Sequence, residues 1–543
     1  MNLNRIFLRK TYIIIIIIMV LIAGGLVFYA FGIRTPISQE ATKVLVVGFT
    51  ESIWGIDPAN IRGFMGHLIS FQIFEPLLRV EFLSNGTMII VPNLAEKWYT
   101  PDGTGKEWIF ELRKDVRFHD GTPFNATAVK FSFERTIEGK QGEYFVLTPY
   151  IDRIEILDTY KVKFILKQPY MGFPSIVAGS NTGIVSPTAV EKCGADFSTK
   201  CLVGTGPFKF IRWIPNEEIV LQRNDDYWNK SRLPRINLLV FKIFSDSRSL
   251  ALALEQGKID VAIRELLPED KERFKGSANY KVFEGPDIYA YFLAINLRNP
   301  YLNNTLVRQA IAYALDYDRI AKLGYGFRIY GLFWKGQLSL DIVAEPQRQF
   351  IYDPDKARKL LMQAFNGSIP KISFKLIYNV GAAPHVTDIV SVIKSNLEDI
   401  GISVELVPMD STRHISTLNS GKDFDLSFFV FNPLTIDPDW SIWFNYHTEG
   451  SSAYQRFGFT NKTIDQLIMK ARSEPDPEVR RNIYILIQNE VDSVPMQRIY
   501  LFRPYTTVVA NKWVIGDLTP VIRIGYAIDF TRVDIDISMK PRG

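Results

Sequence analysis

Residues 12–33 form one apolar run without a charge, including six consecutive isoleucines from Ile13 to Ile18. At ~1.5 Å per residue a helix over this run is about 33 Å long, enough to cross the ~30 Å hydrocarbon core of a bilayer. Arg5, Arg9 and Lys10 precede it, so the positive-inside rule places the N-terminus in the cytoplasm and everything after Arg34 outside. The run exceeds the ~7–15 apolar residues of a secretory signal, which favours an uncleaved signal anchor over a cleaved leader. No cysteine stands near its end to carry a lipid. Residues 1–11 are then a cytoplasmic stub, 12–33 a transmembrane helix and 34–42 a short polar linker.

The remaining 500 or so residues read as folded, outside the cell. Hydrophobic residues make up 47% of the chain and charged residues 22%, ordinary globular values. The net charge of +5 is not gathered into a basic block, which argues against nucleic acid as a partner. Six N-x-S/T triplets, at Asn85, Asn125, Asn229, Asn303, Asn366 and Asn461, are possible glycan acceptors on an external surface. Cys193 and Cys201 lack the companions of a zinc site. In an oxidising compartment they can close a short loop as a disulfide; the alternative is two unrelated thiols.

Strand and helix patterns interleave, giving a mixed α/β class. Residues 43–50 and 108–112 read as strands, and 151–157 with 161–166 as a hairpin around Asp158-Thr159-Tyr160. Residues 307–315 have helical spacing. Asp353 and Pro354 mark a helix start. A helix over 388–400 ends at Gly401 and leads into a strand at 402–407. No Pro/Gly/Ser-rich linker divides the body, as expected of lobes that share strands.

Catalytic signatures are missing. No H-E-x-x-H, G-x-S-x-G or Walker-type motif occurs, and His67, His119, His385, His414 and His447 have no metal-ligand spacing. Gly204-Thr205-Gly206-Pro207 has no lysine and reads as a tight turn, not a phosphate loop. Neither a cofactor nor a metal is implied.

A set of segments in fixed order carries a resemblance: Ile56-Asp57-Pro58-Ala59, Phe74-Glu75-Pro76-Leu77, Pro92-Asn93-Leu94-Ala95-Glu96-Lys97-Trp98, Phe118-His119-Asp120-Gly121, Phe131-Ser132-Phe133-Glu134-Arg135, Gly204-Thr205-Gly206-Pro207-Phe208, Arg223-Asn224-Asp225-Asp226-Tyr227-Trp228, Gly257-Lys258-Ile259-Asp260, Val307-Arg308-Gln309-Ala310 and Tyr352-Asp353-Pro354. Together they resemble the extracellular solute-binding proteins of family 5, which serve dipeptide, oligopeptide and nickel ABC importers. The resemblance implies a two-lobed α/β fold of the type II periplasmic-binding-protein kind (cluster C) with an extra domain on lobe I. Lobe I would be 43–72, 204–286 and 500–543, the extra domain 73–203 and lobe II 287–499, with crossing strands near 289–297 and 498–504. A small polar solute, a short peptide or an oligosaccharide, would be held between closing lobes of a monomer and passed to the permease subunits of an ABC importer. A surface-anchored hydrolase and a peptide sensor or chaperone are the competing classes. Most of the motif residues, His119, Asp120, Trp98 and Trp228 among them, read as scaffold.

In such relatives the ligand lies against the segment before a "[DE]P" turn, here Asp437-Pro438. Phe431, Asn432, Leu434, Trp440 and Trp443 are therefore candidate contacts, with Glu51, Ser52 and Trp54 after the first strand and Tyr291 near a crossing strand. Peptide binders of the family carry an acid three residues before that turn to pair the ligand's ammonium. Here the position is Leu434, which cannot neutralise a buried charge; stacking aromatics with neutral hydrogen-bonding groups suit a sugar.

Overall fold

A computed structural model describes residues 42–82, 88–142, 144–287, 289–331, 350–383, 385–431, 435–450, 454–493, 495–518 and 529–541. The apolar run at 12–33, the linker, the Asn85 triplet, Asn432 and Leu434 lie outside the described residues. Among the described residues no helix is long and apolar enough to cross a membrane, and no group of three or more His, Cys, Asp or Glu is placed to hold a metal ion.

The first strand, Val44–Phe49, buries Leu45, Val47 and Phe49 completely. It pairs in parallel with Leu238–Ile243 and Val261–Ile263, and an antiparallel meander of Phe208–Ile214 and Glu218–Arg223 extends that edge. In the second half of the sheet, Ile372–Asn379 lies in parallel between Ile402–Met409 and Leu426–Phe431. The helix Val386–Glu398 joins the first two of these strands, and Gly401 at φ +92° makes the turn between them. Asp353 caps the helix Pro354–Ala364 by accepting from the Lys356 amide.

One strand, Arg498–Asn511, runs through both halves. Its first residues pair with Ala290–Ile295, and residues 505–511 pair with Tyr280–Pro286. Two antiparallel crossings, one along Tyr280–Pro286 into Ala290–Ile295 and one along Arg498–Asn511, thus join the halves into a single 12-stranded sheet. The two parts separated by these crossings are called lobe I and lobe II below.

A further four-stranded antiparallel sheet runs Ala95–Tyr99, Glu107–Leu112, Lys161–Leu166, Ile151–Asp158, and the hairpin around Asp158-Thr159-Tyr160 forms its edge. The helix Ala126–Gly139 covers it, with Phe133 edge-on to Phe164 at 4.9 Å. This extra domain is seated on lobe I by the motif residues. Glu75, fully withdrawn from solvent, accepts hydrogen bonds from Thr205 Oγ1, the Tyr227 hydroxyl and Trp228 Nε1, each at 2.8 Å. The Gly206 amide donates to the Ile73 carbonyl at 2.9 Å. His119, its basicity pushed down to about 4 by burial, contacts the Gly206 carbonyl at 2.9 Å. Asp120 accepts from Ser186 Oγ and the Thr122 amide, and Arg135 grips Asp57 with two nitrogens. Four of the quoted segments therefore meet at one junction, which is scaffold. Cys193 and Cys201 are joined as a disulfide at a Cα separation of 6.4 Å.

Candidate ligand cleft

Ligands of open α/β sheets gather outside the carboxyl ends of the parallel strands, where the chain turns and its loops are free. Here the carboxyl ends of both halves point at each other. Ile263 is level with Val508 on the long crossing strand, and the Arg264 amide donates to the Thr507 carbonyl at 2.8 Å. Phe431 pairs with Ala290, whose neighbour Tyr291 pairs with Phe502, so Phe431 is level with residue 503. Four residues of strand at ~3.3 Å each leave about 13 Å between the two walls, room for a short extended solute.

The lobe I wall carries charge. Arg264, in the left-handed region at φ +63°, reaches Asp287 with Nη2 at 3.2 Å, and its guanidinium lies 4.5 Å from the Phe64 ring and 5.0 Å from the Tyr289 ring. Burial works against its charge, but Asp287, Tyr289, Glu265 and Glu51 outweigh that and raise its pKa. Asp287 is fixed further by the Thr506 hydroxyl and the Tyr289 amide. Glu51 accepts from the Met65 amide at 3.2 Å, at the start of the helix Phe64–Ile73. Gly63, at φ +77°, permits this approach, since a Cβ there would stand 2.5 Å from Glu51 Oε1. Glu265 lies 3.9 Å from Arg264 and accepts weakly from the Thr50 amide at 3.4 Å. Three carboxylates thus surround one guanidinium. Desolvation pushes Glu265 up to about 7, against the pull of Arg264 and with the repulsion of Glu51; it raises Glu51 as well. The Glu265 side chain nevertheless keeps 30% of its surface open to solvent. Beside it Ser52 is exposed and the Trp54 ring is 75% exposed.

The residues expected to form the site are thereby divided. Glu51, Ser52 and Trp54 stand on the lobe I wall. Tyr291 does not: its ring stacks at 4.7 Å on Phe502 inside the lobe II core, and its hydroxyl donates to the Ala382 carbonyl at 2.6 Å. Phe431 and Trp440 are 4% and 3% exposed and stack with the half-buried Phe444 in one cluster. Both rings belong to the buried hydrophobic core here. Trp443 is half-buried over His447 and Arg472. Asp437 and Pro438 open a helix, Pro438–Tyr446. Arg264, Glu265, Asp287 and Tyr289 were not singled out by the sequence; Arg264 and Glu265 follow the Gly257-Lys258-Ile259-Asp260 segment by four and five residues, which is the one local signal for them.

Comparison with known proteins agrees with this architecture. The model of the bacterial extracellular solute-binding proteins, family 5 (Middle), matches residues 90–453. The chain belongs to this family. The probable D,D-dipeptide-binding periplasmic protein DdpA of Escherichia coli K12 is 27% identical over 89% of this chain and 93% of its own. Among solved structures, the periplasmic binding protein DppA of Helicobacter pylori, in complex with the peptide STSA, superposes with a TM-score of 0.75 at 24% identity, covering 91% of this chain and 98% of its own. The Agrobacterium tumefaciens binding protein AgaA, in complex with agropinic acid, does so with 0.74 at 25% identity, covering 91% and 99%. Members of this family are extracytoplasmic solute-binding proteins of transport systems, and this chain is one of them.

Proposed function

We propose that this protein captures short peptides bearing a free ammonium group and delivers them to the permease subunits of an ABC importer. The observation that carries this reading is the group of carboxylates on the lobe I wall: Arg264 is taken up chiefly by Asp287, while Glu51 and Glu265, with Arg264, His67 and Lys271 in electrostatic reach, keep part of their surface open to solvent. A ligand ammonium adds a cation there, and these carboxylates take the role that an acid at position 434 would have by the family pattern. The dipeptide named for DdpA and the peptide bound to DppA support the same class. The exposed Trp54 ring favours a second reading, an oligosaccharide stacked on it.

The protein is a monomer held to the membrane by the helix at 12–33, with its body outside. There the Cys193–Cys201 bond is stable, and the exposed Asn303 and Asn366 are open to glycosylation.

A thermal-shift screen of the body from Lys43 onward tests the ligand class, with dipeptides to pentapeptides, their N-acetylated forms and oligosaccharides of the same range. A ligand at 100 times its dissociation constant adds about 2.7 kcal/mol of stability. Free peptides are expected to shift the transition and N-acetylated ones to fail. A shift by sugars alone would overturn the peptide reading.

A further inference from the structure

The extra domain touches lobe II at a place where no covalent connection joins them. Its chain enters and leaves through lobe I, at the junction around Ile73, Glu75 and Gly206, whereas lobe II is tied to lobe I through the two crossings. The turn Tyr170-Met171-Gly172 lies against the start of the helix Pro438–Tyr446. The Met171 amide donates to the Arg472 carbonyl at 2.9 Å. The Tyr150 hydroxyl reaches Asp439 Oδ2 at 3.4 Å. The Arg472 guanidinium sits 5.3 Å from the Tyr150 ring and 5.8 Å from the Tyr170 ring. Gly172 has no room for a side chain, since a Cβ would stand 2.6 Å from Asp437 Cγ.

We infer that this contact is a closure latch, in which Tyr150 and the Tyr170-Met171-Gly172 turn are positioning residues that hold lobe II shut over the cleft. Any opening about the crossings must break it, and it is composed to break reversibly. The charges stay matched within lobe II, Asp437 with Arg480 and Asp439 with Arg472. The Tyr150 and Tyr170 rings stay stacked on each other at 4.6 Å within the extra domain. Separation therefore costs an amide bond and a hydroxyl bond that water replaces, the contact of Arg472 with the two tyrosine rings and apolar surface of the cluster shared by the extra domain and lobe II, and strands no buried ion. The junction with lobe I is the opposite case: parting it would strip the buried Glu75 carboxylate of Thr205, Tyr227 and Trp228, a penalty that keeps the extra domain fixed to lobe I.

The inference concerns closure and is independent of which solute binds. The test places dyes on the exposed Leu157 of the extra domain and Leu486 of lobe II, through Leu157→Cys and Leu486→Cys, with the native cysteines bonded. Single-molecule energy transfer is then read on the full chain without added solute. The labelled parent is expected to populate a short distance. Gly172→Ala should move the major population to the longer distance, and Tyr150→Phe should raise the long-distance fraction about threefold, the loss of one hydrogen bond. Unchanged distributions in both variants, or a parent found only at the long distance, would overturn the latch. If Gly172→Ala lowers the melting temperature, Tyr150→Phe decides alone.

Discussion

Lobe I and lobe II each bury arginines among carboxylates, in different proportions. At the start of the lobe II helix, Asp437 is held by Arg480 through two contacts of 2.7 Å, and Asp439 by Arg472 at 2.9–3.2 Å. All four residues are less than 9% exposed, and Asp437 also caps its helix by accepting from the Asp439 amide. On the lobe I wall Glu51, Glu265 and Asp287 share Arg264, with Lys271 in electrostatic reach of Glu265 and Arg503 of Asp287, and two of the three, Glu51 and Glu265, are partly open to solvent. One-to-one pairing with every oxygen bonded satisfies the fold and leaves nothing over. A surplus of carboxylate costs stability, and such departures from local consistency concentrate at functional sites. The first cluster is architecture, and the second is the one at which the proposed ligand is received.

The largest effect separating them is expected from Arg480→Met. It leaves Asp437 ionised and buried without its partner, and chemical denaturation should register a loss of about 3–5 kcal/mol. Glu265→Gln, which removes a charge from a site with too many, should leave the denaturation midpoint unchanged or slightly higher at pH 8. Equal losses in the two variants would erase the distinction. Next in size is Trp440→Ala. The ring packs against both Phe431 and Phe444, so truncation should cost about 3 kcal/mol of stability, while peptide affinity of the folded fraction stays near that of the parent. A stable variant with weakened binding would return Trp440 to the cleft.

How far the sequence reaches follows the same line. The junction residues read as scaffold through the family resemblance alone; that a Glu-Pro, a Gly-Thr-Gly-Pro turn and an Asp-Tyr-Trp meet so that Glu75 finds three donors is visible only in the fold. Asp353 and Gly401 announced a helix start and a turn through local chemistry, within a few residues. The aromatics are ambiguous as site markers because Phe431, Trp440 and Tyr291 have the same composition in a core as in a cleft; the face of the strand or helix that carries each decides between the two. Arg264 and Glu265 follow a three-residue strand and read as a solvated turn. They become a site through Asp287 and Thr506, which two separate crossings bring beside them. No local pattern encodes that meeting.

Glu265→Gln should also weaken binding of a free dipeptide by tenfold or more, about 1.4 kcal/mol, if its carboxylate receives the ammonium, with N-acetyl peptides indifferent to the change. The smallest and most discriminating effect is in pH. Glu265 is pushed up to about 7 by burial, with Arg264, Glu51 and Lys271 among the charges facing it, whereas an unfolded glutamate titrates at ~4.3. The folded protein therefore holds the proton more tightly, so this residue's contribution to stability is fully present below the unfolded value and declines as pH rises through about 7. Ligand affinity runs the other way, because an ammonium binds the ionised carboxylate. Between about pH 6 and 8 free-dipeptide affinity should rise several-fold while the melting temperature drifts down. Calorimetric titration across this range checks the first trend and thermal melts the second. Both should flatten in Glu265→Gln, whereas a cleft whose ligand is a neutral sugar would show the drift in melting without the rise in affinity.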